Sequence, residues 1–177
     1  MEHAMKLPPI HLLAGGPGSR RSGKDPLLTR AIAQSGVSEP TVAYIGAASG
    51  DDKGFFKMIS GYMRTCGAGD VVLAPLASSR VKLDKTRSIL ESADIVFVSG
   101  GDVEEGMLVL EERGMLPFLR ELRSLGKPFF GLSAGSIMLA REWIAWDDPN
   151  DDATSSTFPC LGFASVLCDT HSEGEGW

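Results

Sequence analysis

The chain has 177 residues, of which 43% are hydrophobic and 23% are charged, and its formal net charge is −6. This composition predicts a single globular domain over residues 1–177 with a sizeable core. The negative charge argues against nucleic acids and anionic membranes as partners, because both select basic surfaces. No apolar run reaches the ~18 residues of a membrane span. The first residues lack a signal-peptide pattern, so we expect a cytoplasmic protein.

The three cysteines are Cys66, Cys160 and Cys168. No two of them stand at C-x-x-C spacing, and none has a nearby histidine at the spacing of metal ligands. We therefore expect three reduced thiols, with neither a metal site nor a cofactor.

Short apolar runs alternate with stretches of helical periodicity along most of the chain. In chain order, the predicted elements are a strand at Ile10–Ala14, a helix at Pro26–Ser35, a strand at Thr41–Ile45, a helix at Lys53–Cys66, a strand at Val71–Leu73, a helix at Leu83–Ser92, a strand at Asp94–Val98, helices at Val103–Glu112 and Leu116–Leu125, a strand at Pro128–Leu132, a helix starting at Ala134–Ala140 and a strand at Ala164–Leu167.

This alternation predicts β-α-β units and a mostly parallel α/β sheet. The strands are continuous apolar runs, which is typical of a sheet with helices on both faces. The polar stretch Trp146–Thr157 predicts the longest surface loop.

Gly131–Gly135 reads Gly-Leu-Ser-Ala-Gly, the G-x-S-x-G pattern of a nucleophile elbow. An apolar strand runs into it and a predicted helix follows, as that motif requires. Such a turn lifts the Ser133 hydroxyl above the strand end, where free amides and the helix dipole favour a developing anion. The pattern also fits a glycine-rich turn whose serine only caps the helix.

A nucleophilic serine needs a base, and the chain holds three histidines. His3 lies in the N-terminal tail, and His11 lies inside the first apolar strand, where a structural role is expected. His171 follows the strand Ala164–Leu167 in a polar segment. Catalytic groups in open α/β sheets gather at the carboxyl ends of strands, so His171 is the predicted base.

Acyl transfer also needs two donors to the oxyanion. The Ala134 amide is one candidate, because it follows the nucleophile directly. The second is expected from the loop Ser99–Asp102, where glycines allow close approach of the backbone. Gly100 and Gly101 would also be needed simply to turn the chain into the next helix.

The segments Val98–Asp102 and Gly131–Ser136, followed by a late histidine, resemble the serine peptidase family of aspartyl dipeptidase (dipeptidase E) and cyanophycinase. The first strand with its glycine loop and the segment Ala43–Ser49 resemble that family too. The resemblance implies a class I glutamine-amidotransferase-like α/β sandwich. It also implies metal-free serine acyl chemistry and exopeptidase action near acidic residues.

In residue terms, the resemblance implies Ser133 as nucleophile, His171 as base, and Gly101 with Ala134 as oxyanion donors. The family draws its third triad member, a glutamate, from well downstream of the histidine, whereas only six residues follow His171. Either a nearby acid orients His171, or the chain lacks a C-terminal segment, and we expect the second. A chain without its third triad member is expected to be a weak or inactive hydrolase. The acids within reach are Asp169, Glu173 and Glu175.

A competing motif is Gly18–Asp25, which nearly matches the phosphate loop G-x-x-x-x-G-K-[ST]. Asp25 stands where the magnesium-binding hydroxyl belongs and would repel phosphate, so we do not expect nucleotide binding. The basic residues Arg20, Arg21 and Lys24 either attract an acidic substrate or form a solvated loop.

These observations predict a serine exopeptidase or dipeptidase that cleaves small, Asp-containing peptides through an acyl-enzyme intermediate. The alternatives are a general serine esterase with the same nucleophile and a catalytically idle member of the fold that binds a ligand.

Overall fold

The computed structural model describes residues 7–15, 23–148 and 150–169. Its strands are β1 His11–Leu13, β2 Val42–Ile45, β3 Val71–Leu73, β4 Ile95–Val98, β5 Phe129–Leu132, β6 Ala140–Trp146, β7 Ser155–Pro159 and β8 Ala164–Asp169. Its α-helices are α1 Pro26–Ala33, α2 Lys53–Thr65, α3 Leu83–Ser92, α4 Val103–Glu112, α5 Met115–Ser124 and α6 Ala134–Leu139. A turn of 3-10 helix, Ala47–Ser49, follows β2.

Five strands form one parallel sheet in the order β1-β5-β4-β2-β3. Val98 of β4 lies opposite Gly131 of β5 on one side and Ile45 of β2 on the other. The carboxyl ends of these strands therefore meet at one edge of the sheet, as the predicted parallel α/β architecture requires. That fold class is confirmed.

Alternate residues of the central strands enter two separate cores. Ala43 and Val96 pack with the helices α3 to α6 on one face, whereas Tyr44 and Phe97 pack with α1 and α2 on the other. All four side chains are fully buried. Burial on both faces explains why these strands read as continuous apolar runs rather than as alternating ones.

The C-terminal part forms a second sheet of three strands in the order β7-β6-β8, which the sequence did not predict. The predicted helix ends at Leu139, and β6 begins at the next residue. The prediction of a surface loop over Trp146–Thr157 is wrong for both ends of this segment, which belong to the strands β6 and β7. Trp146 pairs with Ser155, and this antiparallel pairing gives the polar backbone of β7 its hydrogen bonds.

Cys66 and Cys160 are buried and Cys168 is half-buried, and all three are free thiols. Burial raises the pKa of the Cys160 thiol to about 11, with smaller contributions from Cys168 and Glu142. Within the described ranges, every helix is too short or too polar to cross a lipid bilayer.

Helix α6 approaches β4 closely because Gly135 has no side chain. A Cβ atom at Gly135 would lie 2.0 Å from the carbonyl oxygen of Val98. A Cβ atom at Gly131 would lie 2.5 Å from the carbonyl oxygen of Gly135. Both distances are far below van der Waals contact, so a larger residue at either position must displace the helix.

We therefore predict that Gly135→Ala lowers the free energy of unfolding by about 2 kcal/mol, the usual cost of forcing extra volume into a packed site. The matched control is Gly61→Ala in α2, where a Cβ atom would meet nothing within 4 Å. This substitution should raise the free energy of unfolding by about 1 kcal/mol, because glycine is a poor helix former. Urea denaturation measures both. Equal effects of the two substitutions would contradict the steric argument.

Candidate active site

Ser133 stands on the tight turn between β5 and α6, and it is exposed to solvent. Its backbone has φ 53° and ψ −125°, an unfavourable conformation for a residue with a side chain. Strand, strained turn and helix follow one another here as the nucleophile-elbow pattern predicts. The turn places Ser133 at the carboxyl edge of the parallel sheet.

The carbonyl oxygen of Leu13 anchors this turn to β1. It accepts one hydrogen bond from the Ser133 amide at 2.8 Å and another from the Ser136 hydroxyl at 2.8 Å. Ser136 is 6% exposed, so its bond to Leu13 is shielded from water. The end of β1 therefore fixes the position of Ser133 from the side opposite to β4.

Ala134 is the first residue of α6 and is buried. The amide of the first residue in a helix has no acceptor within that helix. The structure thus places one predicted oxyanion donor immediately after Ser133, at the start of a helix.

The loop after β4 lies beside Ser133. A Cβ atom at Gly100 would lie 3.2 Å from the Cβ atom of Ser133 and 3.7 Å from its Oγ atom. A side chain at this position would crowd the Cβ atom of Ser133 by a few tenths of an ångström, so glycine allows this approach without displacing the serine. Gly100, with its neighbour Gly101, therefore forms one wall of the space around the Ser133 hydroxyl.

Gly101 rests on the 3-10 turn that follows β2. Its φ is 144°, and a Cβ atom there would lie 1.9 Å from the carbonyl oxygen of Ala48. The same oxygen accepts a hydrogen bond from the Asp102 amide at 2.8 Å. The Asp102 carboxylate in turn caps α4 by accepting the Glu105 amide at 2.9 Å. The loop thus makes the turn into α4 and also flanks Ser133.

Two buried polar residues that the sequence analysis did not single out support this loop. Ser99 is 1% exposed; its amide donates to Ile45 at 3.0 Å, and its hydroxyl donates to the Gly100 carbonyl at 3.2 Å. Tyr44 is fully buried beside Ser99 and Ser49. Burial raises the pKa of Tyr44, and contacts with the two serine hydroxyls partly offset that rise. In the sequence, the one polar side chain in the apolar strand β2, that of Tyr44, could have indicated this buried cluster.

The predicted base lies outside the described residues, as do the candidate acids Glu173 and Glu175. Asp169 is the exposed last residue of β8, where it pairs with Ile144. His11 lies half-buried in β1, and burial together with the charge of Arg30 lowers its pKa. The role of His171 as the base therefore stays a prediction.

The near match to a phosphate loop ends in a helix cap. The Asp25 carboxylate accepts hydrogen bonds from the amides of Leu27 at 2.8 Å and Leu28 at 3.0 Å, at the start of α1. Arg20 and Arg21 lie outside the described residues. In the part of the chain that the structure describes, no group of three or more histidine, cysteine, aspartate or glutamate residues is arranged to hold a metal ion.

The family model for Peptidase family S51 matches residues 11–175. The chain belongs to peptidase family S51. The resemblance predicted from the elbow and the Gly-Gly-Asp loop is thereby confirmed.

Individual relatives match a smaller part of the chain than the family model does. Pyridoxal 5'-phosphate synthase subunit PdxT from Geobacillus sp. (strain WCH70) is 27% identical over 112 residues, covering 63% of this chain and 47% of that protein. The uncharacterized peptidase YgaJ from Bacillus subtilis (strain 168) is 26% identical over 142 residues, covering 80% of this chain and 59% of that protein. The chain spans about half the length of these relatives.

The fold is shared with solved structures. The crystal structure of a peptidase from an acI-B1 Actinobacterium superposes with a TM-score of 0.64 at 15% sequence identity. The superposition covers 87% of this chain and 64% of that one. The two chains therefore share one fold, and the predicted α/β architecture, a mostly parallel sheet between helices, is confirmed.

The two serines of the elbow should differ in their effect on stability. Ser136→Ala removes the buried hydrogen bond to Leu13, so the free energy of unfolding should fall by about 1 kcal/mol. The Ser133 hydroxyl makes no hydrogen bond to another described residue. Ser133→Ala should therefore change the free energy of unfolding by less than about 0.5 kcal/mol. Thermal and urea unfolding of both variants measure the difference, and a larger loss for Ser133→Ala would contradict it.

Proposed function

We propose that the chain is a serine peptidase that hydrolyses small, Asp-containing peptides through an acyl-enzyme intermediate, with Ser133 as the nucleophile. The observation that carries this proposal is the exposed Ser133 hydroxyl on a turn with φ 53°, between a parallel strand and a helix. Membership of peptidase family S51 supports peptide-bond chemistry. The preference for aspartate rests on the resemblance to aspartyl dipeptidase.

In the proposed reaction, Ser133 Oγ attacks the carbonyl carbon of the scissile peptide bond while His171 takes the hydroxyl proton. The carbonyl oxygen becomes an oxyanion and accepts hydrogen bonds from the amides of Gly101 and Ala134. The C–N bond then breaks, and His171 gives the proton to the leaving amine. Water attacks the acyl-enzyme in the same way and releases the acid product.

The rigidity of the elbow supports this assignment. The Ser133 amide is held by Leu13, and the Ser133 carbonyl accepts the Ser136 amide at 2.8 Å. The backbone on both sides of the nucleophile is thus fixed before substrate binds, whereas the hydroxyl projects into solvent. Donors and nucleophile that need no rearrangement are the arrangement that stabilises a transition state most effectively.

The nucleophile is tested by labelling with a fluorophosphonate probe, which reacts covalently with activated serines. The wild-type chain should be labelled and Ser133→Ala should not, since loss of a triad serine costs ~10⁶ in turnover. Ser136→Ala is the matched control and should still be labelled. Absence of wild-type labelling is also expected when the acid that orients His171 is missing. It would favour the catalytically idle alternative only if the chain extended by its natural C-terminal sequence also stayed unlabelled.

The substrate class is tested on the same variants with a panel of Asp-X dipeptides and short acyl esters. Hydrolysis of the dipeptides that Ser133→Ala abolishes supports the proposal. Hydrolysis of the esters alone would replace it with the general esterase.

The third triad member is sought with Asp169→Asn, Glu173→Gln and Glu175→Gln, beside His171→Ala. Losing the acid that orients a catalytic histidine can lower turnover by ~10⁴, because the imidazole then loses its correct tautomer. Turnover of the best dipeptide substrate is measured for each variant. The acid is the residue whose substitution lowers turnover nearly as much as His171→Ala does. Three variants with wild-type turnover would exclude these three residues as the acid that orients His171.

A further inference from the structure

A groove of about 680 Å³ runs along α4 and is closed on its far side by the end of β7. It starts at Asp102, the N-cap of α4, and reaches Glu111 in the last turn of that helix. The groove is as large as a typical binding site for a small molecule or a short peptide.

One wall of the groove is apolar. Leu108 of α4, Leu116 of α5 and Phe158 of β7 line it. Leu108 is 53% exposed, and it lies in a concave site beside two further apolar residues of the lining. Apolar surface in a concave site gains free energy when a partner covers it.

The rim of the groove is acidic. Glu104, Leu108 and Glu111 are spaced i, i+4 and i+7, so the two carboxylates flank the exposed leucine on one face of α4. Glu105 also lines the groove. These three glutamates form no salt bridge with any residue of the ranges 7–15, 23–148 and 150–169.

The remaining charges of the lining do not neutralise the rim. The Asp102 carboxylate is occupied as the cap of α4. Arg120 is the cation of the lining, and its Nε atom donates to the Leu161 carbonyl at 3.4 Å. Four carboxylates thus face one guanidinium, and the field in the groove is negative.

We propose that this groove binds a peptide segment in which lysine or arginine side chains alternate with apolar ones. The apolar side chains would cover Leu108 and Phe158, and the cations would pair with Glu104 and Glu111. Charge complementarity selects this occupant, because the rim repels an acidic peptide. The partner of the groove is therefore a different molecule from the acidic substrate proposed for Ser133, and its binding requires no hydrolysis.

The test uses the 177-residue chain with Ser133→Ala, so that no peptide is cleaved, and fluorescence anisotropy of two labelled peptides. One peptide alternates lysine with leucine, and the other carries aspartate in place of each lysine. The lysine peptide should bind, and added salt should weaken its binding. Equal or tighter binding of the aspartate peptide would overturn the proposal.

Charge and apolar contact are then tested separately, each with a matched control. Glu104→Gln with Glu111→Gln should weaken binding about fivefold, the effect expected when two exposed ion pairs are lost. Glu112→Gln with Glu121→Gln removes the same charge from exposed positions outside the groove and should leave affinity unchanged. Equal effects of the two pairs would show nonspecific attraction and overturn the proposal.

For the apolar wall, Leu108→Ser should weaken binding about threefold or more. Leu27→Ser, at a position of 62% exposure on α1, should not weaken it. Absence of peptide binding, together with self-association of the chain that Leu108→Ser abolishes in sedimentation, would assign the groove to a second copy and overturn the proposal.

Discussion

The contact between Gly135 and the carbonyl of Val98 is the constraint on which the rest of the site depends. It brings the first turn of α6 against the end of β4, closer than any side chain would allow. Because α6 starts directly after Ser133, the height of that serine above the sheet follows from this contact. The neighbouring loop after β4 then necessarily runs beside the serine, since it continues from Val98 itself.

Contacts with residues of β2 and of the turn after it hold the loop with Gly100 and Gly101 in place. Ala48 holds it through the Asp102 amide, and Ser99 ties it to the end of β2. Beneath it, the ring of Tyr44 packs against Phe97, with ring centroids 5.2 Å apart. A loop fixed by so many backbone contacts can present its amides without reorganising, which is the property that an oxyanion site needs.

The parallel layer could be predicted from the sequence because its three central strands, β2, β4 and β5, are buried on both faces. The run Ile95–Val98 is too short for a helix and consists of β-branched and aromatic residues, which favours a buried strand. The second sheet could not be predicted in this way. Ser155–Pro159 is polar and mostly exposed, so only its pairing with β6 makes it a strand. Its register is a property of the folded chain, not of local pattern.

The candidate site, like the fold, has one part that the sequence predicts and another part that it does not predict. The elbow around Ser133 could be predicted because its small residues are consecutive in the sequence. The contact between Gly101 and Ala48 could not, because these residues lie on different β-α connections and meet only when β2 and β4 pair. The sequence motif therefore singles out Ser133, the proposed nucleophile, whereas the contacts that hold it in place emerge from the assembled sheet.

The attachment of the elbow to β1 has a mechanical consequence. β1 has three residues, lies at the edge of the sheet and pairs with β5 alone. A force applied to the N-terminus would peel this strand away first, before the four remaining strands of the sheet separate. The Leu13 carbonyl would leave with it, and Ser133 would lose this anchor while the fully buried residues of both hydrophobic cores were still in place. If Ser133 is the nucleophile proposed above, its reactivity would thus report tension on the N-terminus before the protein unfolds.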